Sequence, residues 1–152
     1  MIKISTALID AIKAHGEKTF PNECCGIVLG HFEEAGVDGN HSVKTAVELV
    51  PIENNFEAEE QYHRFLITEE QMLHTEFLAR KKGLEIVGIY HSHPDCASVP
   101  SEYDRSHSVP VYSFFITSIM SAKAADIQNW TLEWSEEKGD NVFVAEDFEV
   151  LQ

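Results

Sequence analysis

Positive charge is scarce in this chain. Lysine and arginine together number 11 in 152 residues, against 26 aspartates and glutamates, for a formal net charge of −15 at pH 7. With so few cations there is no basic patch to neutralise phosphates, so nucleic acid is not an expected partner. An anionic membrane surface is disfavoured for the same reason. Long hydrophobic runs are missing as well: no stretch approaches the ~20 apolar residues that a bilayer span needs. The opening MIKISTALIDAIKAHG is amphipathic and lacks the apolar core of a secretory signal. Cysteine is rare, and its three residues make no disulfide framework. These absences lead us to expect a chain free of membranes, in a reducing, cytoplasmic compartment. No repeat, low-complexity tract or linker interrupts it. Hydrophobic content of 43% and charged content of 24% are ordinary globular values. A single domain over residues 1–152 follows, large enough to bury roughly 70% of its unfolded surface.

Ser5 can cap a first helix running to about Lys18, on which Ile4, Leu8, Ile12 and Ala7, Ala11, Ala14 share a stripe. Gly16 is expected to loosen its end, and Phe20-Pro21-Asn22 to stop it. Glu23 to Gly30 reads as a strand, Ala35 to Asn40 as a turn, and Ser42 to Pro51 as a second strand. Glu53 to Glu60 is acidic and is expected to be a mobile surface loop, with a short strand at Tyr62 to Ile67. Thr68 and Gln71 match a capping box, and Arg80-Lys81-Lys82-Gly83 suits a helix C-terminus. Leu84 to Tyr90 is nearly all apolar, as a central strand would be. Ser101 opens a short polar turn or helix to about Ser108. Strands follow at Val111 to Met120, Ile127 to Trp134 and Val142 to Val150, with a turn at Lys138 to Asn141. The order describes an α/β (α+β) domain built on one mixed sheet.

The chemistry lies in His91-Ser92-His93-Pro94, which follows directly on the buried strand, and in Ser101 and Asp104 beyond it. Residues i and i+2 of a strand share a face, which brings two imidazoles about 6–7 Å apart at Cα. That spacing suits a tetrahedral metal. Pro94 cannot continue a central ladder, so the chain leaves the sheet there and can fold back over the same point. If Ser101 caps a helical turn, Asp104 can reach in as a third ligand. Three protein ligands and one open position are the arrangement of a catalytic zinc. The hard, thiolate-free His₂Asp set favours zinc among similar divalent ions. A nearby carboxylate that is not a ligand would take the proton of the metal's water and pass it to the leaving amine. Glu23, opening a strand among apolar residues, is the candidate. Ser101 offers a hydroxyl toward a developing oxyanion.

Glu23, His91-Ser92-His93-Pro94, Ser101 and Asp104, together with Pro21-Asn22-Glu23-Cys24-Cys25-Gly26-Ile27-Val28-Leu29-Gly30, resemble the JAMM (MPN+) signature of the JAB-domain zinc metalloproteases. Most of residues 2 to about 135 fits that domain. The resemblance implies a curved mixed sheet flanked by helices, similar to the cytidine-deaminase core. It also implies one Zn²⁺ per chain on His91, His93 and Asp104, with Glu23 as general base and acid and Ser101 steadying the tetrahedral intermediate. The implied activity is hydrolysis of amide or isopeptide bonds at the C-terminal Gly-Gly tail of a ubiquitin-like protein. The short chain looks most like the small prokaryotic, Mec-type members, whose partners are ubiquitin-like sulfur carriers. An extended tail can add as a strand at a sheet edge near the site.

Two other classes stand beside this one: a non-catalytic scaffold of the same fold that binds partners, and a small-molecule zinc hydrolase. A deaminase is disfavoured because its H-x-E and P-C-x-x-C pattern is absent. His107 either orients the Asp104 carboxylate or is a surface histidine. Asp95 is expected to cap a turn. Cys24 and Cys25 read as small buried strand residues and Cys96 as a loop thiol, with contact to the metal in an oxidised state as its alternative. His15, His31, His41, His63 and His74 carry no assigned role. The −15 charge leads us to expect a carrier with a basic docking face and association that weakens with salt.

Overall fold

Ile2 and Ile4 alternate with Lys3 and Ser5, and these four residues form a strand, β1 (Ile2–Ser5), with both isoleucines fully buried. The computed structural model describes residues 1–33 and 43–152. The expected turn at Ala35 to Asn40, and Ser42, lie outside the described residues. Ser5 then caps α1 (Thr6–Thr19), its hydroxyl accepting from the Leu8 N–H at 3.2 Å. The expected stripe is therefore corrected. Ile4 belongs to the strand, and α1 buries Ile9, Ile12 and Gly16 while Ala7, Ala11 and Ala14 face outward. Alanine buries too little surface to choose a helix face. Nor does Gly16 loosen the helix: a Cβ there would stand 2.8 Å from Ile119 Cδ1, so its lack of a side chain lets α1 lie close on the sheet.

The remaining elements are β2 (Cys25–Phe32), β3 (Lys44–Ile52), a 3₁₀ turn at Ala58–Glu60, α2 (Glu69–Lys81), β4 (Glu85–Pro94), α3 (Glu102–Ser106), β5 (Ser113–Met120), β6 (Lys123–Ser135), β7 (Asp140–Ala145) and β8 (Phe148–Leu151). The Thr68–Gln71 capping box that opens α2 forms as expected. Tyr62 to Ile67 is not a strand. Its backbone pairs with a side chain instead: Asn54 Oδ1 accepts from Leu66 N–H at 3.1 Å, and Asn54 Nδ2 donates to the Arg64 carbonyl at 3.0 Å.

The eight strands of the described residues form one mixed sheet in the order β7-β6-β5-β4-β2-β3-β1-β8. β1 runs parallel to β3 and β8, and β4 runs parallel to β5, while the other neighbours are antiparallel. The expected last strand is in fact two, at opposite edges of this order, with only Glu146 and Asp147 between them. Three Cα–Cα steps reach at most about 11 Å. The sheet must therefore curl until its edges nearly meet. Glu146 sits in that seam, accepting from Lys44 Nζ at 3.2 Å, from Asn129 Nδ2 at 2.8 Å and from the Ser113 hydroxyl.

Helix α1 covers one face over Cys24, Val28, Val87, Tyr90 and Phe115. On the same side His15 Nδ1 lies 2.8 Å from the Tyr90 hydroxyl. Helix α2 covers the other face, over Ile27, Leu29, Ile86, Ile89 and Phe114. Among the described residues no helix is long and apolar enough to cross a membrane.

Candidate metal centre

Strand register assembles the centre. Cys25 pairs with His91 across the β2–β4 ladder. Directly opposed residues point to the same side of a sheet, as do i and i+2. Glu23, His91 and His93 thus converge on the α2 face at the end of β4. Cys24, Ser92 and Tyr90 turn to the α1 face, where the Ser92 hydroxyl accepts from the Cys24 N–H at 2.8 Å. All three convergent residues are buried.

Asp104 arrives from the crossover between β4 and β5. Ser101 is the N-cap of α3, its hydroxyl accepting from the Asp104 N–H at 3.0 Å, while the Ser101 N–H donates to Asp104 Oδ2 at 2.9 Å. The serine–aspartate spacing is thus a capping box, and the box aims the carboxylate inward. Asp104 Oδ2 lies 3.3 Å from His91 Nε2 and 3.2 Å from His93 Nε2, which are 3.1 Å from each other. Donors around a tetrahedral ion with Zn–N bonds of 2.0–2.1 Å stand roughly 3.3 Å apart, so the three atoms fit such an ion. His93 Nδ1 faces the Ala97 carbonyl at 2.8 Å, which places its proton there and leaves the Nε2 lone pair facing the centre. The His91 ring stacks on Phe65 with centroids 4.5 Å apart.

Two buried atoms of this group, Glu23 Oε1 and His91 Nδ1, have no hydrogen-bond partner among the described residues. Donor atoms of Glu23, His91 and His93 all lie within 4.8 Å of one another, a second grouping able to hold a cation. Burial pushes the Glu23 carboxyl up to about 6, against the pull of the two imidazoles. Burial works against the charged form of Asp104 as well. There the His91 charge and the hydrogen bonds from both imidazoles and Ser101 prevail and hold the carboxyl well below its usual range. The histidine nearest those hydrogen bonds, His93, is raised: burial is outweighed by its bonds to Asp104 and to Ala97.

The five residues singled out in the sequence are therefore gathered at one point. The other expectations divide. Cys24 and Cys25 are buried, and burial pushes the Cys24 thiol up to about 12. Cys96 is exposed, and it is its carbonyl that is held, by the Ser118 hydroxyl at 2.5 Å. His107 is exposed and stacks on Tyr103, its Nδ1 lying 2.9 Å from the Tyr103 carbonyl, so it is a surface histidine and does not orient the carboxylate. Asp95 caps a turn, accepting from the Ser121 N–H at 2.8 Å.

Sequence reasoning missed the residues that hold Glu23. The Glu23 N–H donates to the Gln61 carbonyl at 2.8 Å, and its own carbonyl accepts from Asn54 Nδ2 at 3.2 Å. Gln61 Nε2 in turn donates to the Asn54 and Phe56 carbonyls at 3.0 and 2.8 Å. The Glu53 to Glu60 loop, expected to be mobile, is instead tied to the centre by these amides. One signal was available: two carboxamides, Asn54 and Gln61, bracket an otherwise acidic stretch.

Known proteins share the fold. A curated relative, the tail tip assembly protein K of Escherichia phage N15, is 34% identical over 98 residues, covering 64% of this chain and 32% of its own length. The chain thus spans about a third of that relative. A solved structure of a Desulfitobacterium hafniense protein superposes with a TM-score of 0.78 at 21% identity, covering 100% of this chain and 94% of that one. A structure described as a JAMM, metalloprotease-like zinc site of the proteasome and signalosome superposes with a TM-score of 0.51 at 18% identity, covering 100% and 99%. Both likenesses are likenesses of fold. The family described as prokaryotic homologs of the JAB domain matches residues 5–133, and the chain belongs to that family.

Proposed function

We propose that the chain acts as one domain, a zinc-dependent metallopeptidase that hydrolyses an amide bond in the C-terminal tail of a ubiquitin-like protein. The observation that carries this reading is the triangle of His91 Nε2, His93 Nε2 and Asp104 Oδ2, with edges of 3.1 to 3.3 Å, beside a buried Glu23. His91, His93 and Asp104 would hold the ion. When bound, it supplies a lowered pKa for water and polarisation of the scissile carbonyl.

The chain's own residues do the rest. Glu23 takes a proton from the attacking water and delivers it to the departing amine. A C–O bond forms at the carbonyl carbon as the C–N bond breaks, and one water is consumed. The Ser101 oxygen accepts from the Asp104 N–H, which leaves its hydroxyl proton to donate to the oxyanion. The Gly-Gly specificity rests on the signature resemblance, and a protein partner fits the phage relative, a tail tip assembly protein.

The test presents the zinc-loaded protein with ubiquitin-like carriers extended past Gly-Gly and follows cleavage by mass spectrometry. We expect chelator-sensitive cleavage and about one zinc per chain. Stoichiometric zinc without cleavage of any carrier would favour the binding scaffold instead.

A further inference from the structure

We propose that Arg64 receives the free α-carboxylate of the residue released from the substrate, so that the enzyme removes a single terminal residue beyond the Gly-Gly tail. This rests on the peptidase reading above and sets a free amino acid, rather than a lysine side chain, as the leaving group.

Arg64 comes from the segment that holds Glu23. Asn54 Nδ2 donates to the Glu23 carbonyl at 3.2 Å and to the Arg64 carbonyl at 3.0 Å, so one amide joins the two backbones. The side chain reaches α3. Its guanidinium carbon lies 4.4 Å from the centroid of the Tyr103 ring, and Tyr103 immediately precedes Asp104. A fixed cation is thus anchored at the Glu23 backbone and packed on the neighbour of Asp104. Its charge bears on the Glu23 carboxyl, behind burial and the charges of His91, His93 and Asp104.

That cation pairs with no carboxylate among the described residues, in a chain with 26 acidic side chains against 11 lysines and arginines. Arg105, by contrast, meets Glu102 and Asp140. Arg64 borders an open cleft of about 460 Å³ that Glu57 and Glu60 also line, yet Glu60 pairs with His63 instead. The guanidinium's hydrogen bond runs from Nη1 to the His63 carbonyl at 2.9 Å, which leaves Nε and Nη2 unclaimed among the described residues. Stacking on Tyr103 uses the face of the guanidinium. Its edge is left to match a carboxylate through parallel hydrogen bonds.

The departing amine takes its proton from Glu23. In a released amino acid the carboxylate carbon is two bonds from that nitrogen, so its receptor must stand close to Glu23, as Arg64 does. A lysine leaving by its side-chain nitrogen carries no carboxylate at that distance, and an internal peptide bond carries a neutral amide there. Hydrolysis consumes one water and yields a carrier ending in Gly-Gly and one amino acid.

Two tail peptides test this, both ending in an alanine after Gly-Gly, one as the free acid and one as the terminal amide. With the zinc-loaded protein, kcat/KM for loss of the last residue should be at least about tenfold higher for the acid. The zinc-loaded Glu23→Gln protein should bind the acid at least about tenfold more tightly than the amide by calorimetry. Arg64→Gln, alone for cleavage and with Glu23→Gln for binding, should bring both ratios toward one at unchanged zinc content. Arg64→Lys should keep part of each ratio, since it retains the charge and loses the fork. Ratios that persist in Arg64→Gln would mean that the ion itself captures the carboxylate, and would overturn the assignment. Equal cleavage of acid and amide by the wild type would overturn it as well and leave the peptidase reading standing. Tighter binding of the acid that is lost with Arg64→Gln, without cleavage of either peptide, would support the arginine site and overturn the peptidase reading. Neither cleavage nor selective binding would overturn both.

Discussion

Asp104 Oδ2 accepts the Ser101 backbone N–H at 2.9 Å while lying 3.2 and 3.3 Å from the Nε2 atoms of His93 and His91. One oxygen thus closes a helix cap and completes the triangle with the two imidazoles. A five-residue helix has little stability of its own, so the cap and the triangle depend on each other.

That dependence sets the first prediction. Ser101→Ala removes the hydroxyl that accepts from the Asp104 N–H, a loss of about 1 kcal/mol for an N-cap. Zinc affinity should fall by up to about tenfold as the carboxylate loses its fixed orientation. Cleavage at saturating zinc should fall further, because an oxyanion donor is lost as well. Asp104→Ala should abolish stoichiometric zinc. Full zinc occupancy in Asp104→Ala, measured by metal analysis after dialysis, would mean that Glu23 serves as the third ligand.

Glu23→Gln should keep the metal and lose most activity, and it should also stabilise the metal-free protein. The Glu23 carboxyl is raised from 4.5 to about 6 in the fold. Between those values the folded state holds more protons than the unfolded state, so stability is fully present below pH 4.5 and falls as pH rises through about 6. A rise of that size corresponds to about 2 kcal/mol of destabilisation above pH 6. Glutamine escapes it. Chelator-treated Glu23→Gln should therefore exceed wild type by about 2 kcal/mol at pH 7.5 in urea titrations, with the gap closing near pH 4.5. A constant difference across that range would show that Glu23 ionisation does not set it.

The third prediction concerns Asn54, whose side chain meets four backbone groups: the carbonyls of Glu23 and Arg64 and the N–H groups of Phe56 and Leu66. Asn54→Ala strands these groups, three of whose bonds are partly buried, and should cost about 2 kcal/mol. Hydrogen exchange should accelerate at the Phe56 and Leu66 amides before it does so in β4. Equal protection of those amides in the variant would mean that the loop holds itself.

How much of this was legible in the sequence depended on the range of the signal. The capping box at Thr68, the cap at Ser101 and the two-residue histidine spacing are local rules whose partners lie within a few positions, and all formed as read. Ile4 stands four residues before Leu8, as a helix stripe would have it, and two after Ile2, as a strand would, and pairing with β3 and β8, far along the chain, decided for the strand. The Tyr62 to Ile67 segment carries strand-like residues. Asn54, eight or more positions earlier, claims the backbone groups a neighbouring strand would have used. The split of the last strand depends on the seam, where a glutamate leaves the ladder to meet Lys44, a contact that no local pattern encodes.

That seam yields the last prediction. Lys44 is almost wholly buried, and its ammonium lies 3.2 Å from Glu146 Oε2 and 3.0 Å from the Val111 carbonyl. Glu146→Ala leaves that cation uncompensated in the interior, and also strands the Ser113 hydroxyl and the Asn129 amide. Breaking a buried pair from one side costs about 3–5 kcal/mol. At about 2–4 °C per kcal/mol for a chain of this size, Tm should drop by roughly 10 °C. Lys44→Met in the Glu146→Ala background should recover part of the loss, because the stranded charge goes with it. The seam lies in a different part of the sheet from the histidines, so zinc content should stay at the wild-type level in both variants. If the second substitution deepened the loss instead, the main contribution of Lys44 would be its bond to the Val111 carbonyl rather than its charge.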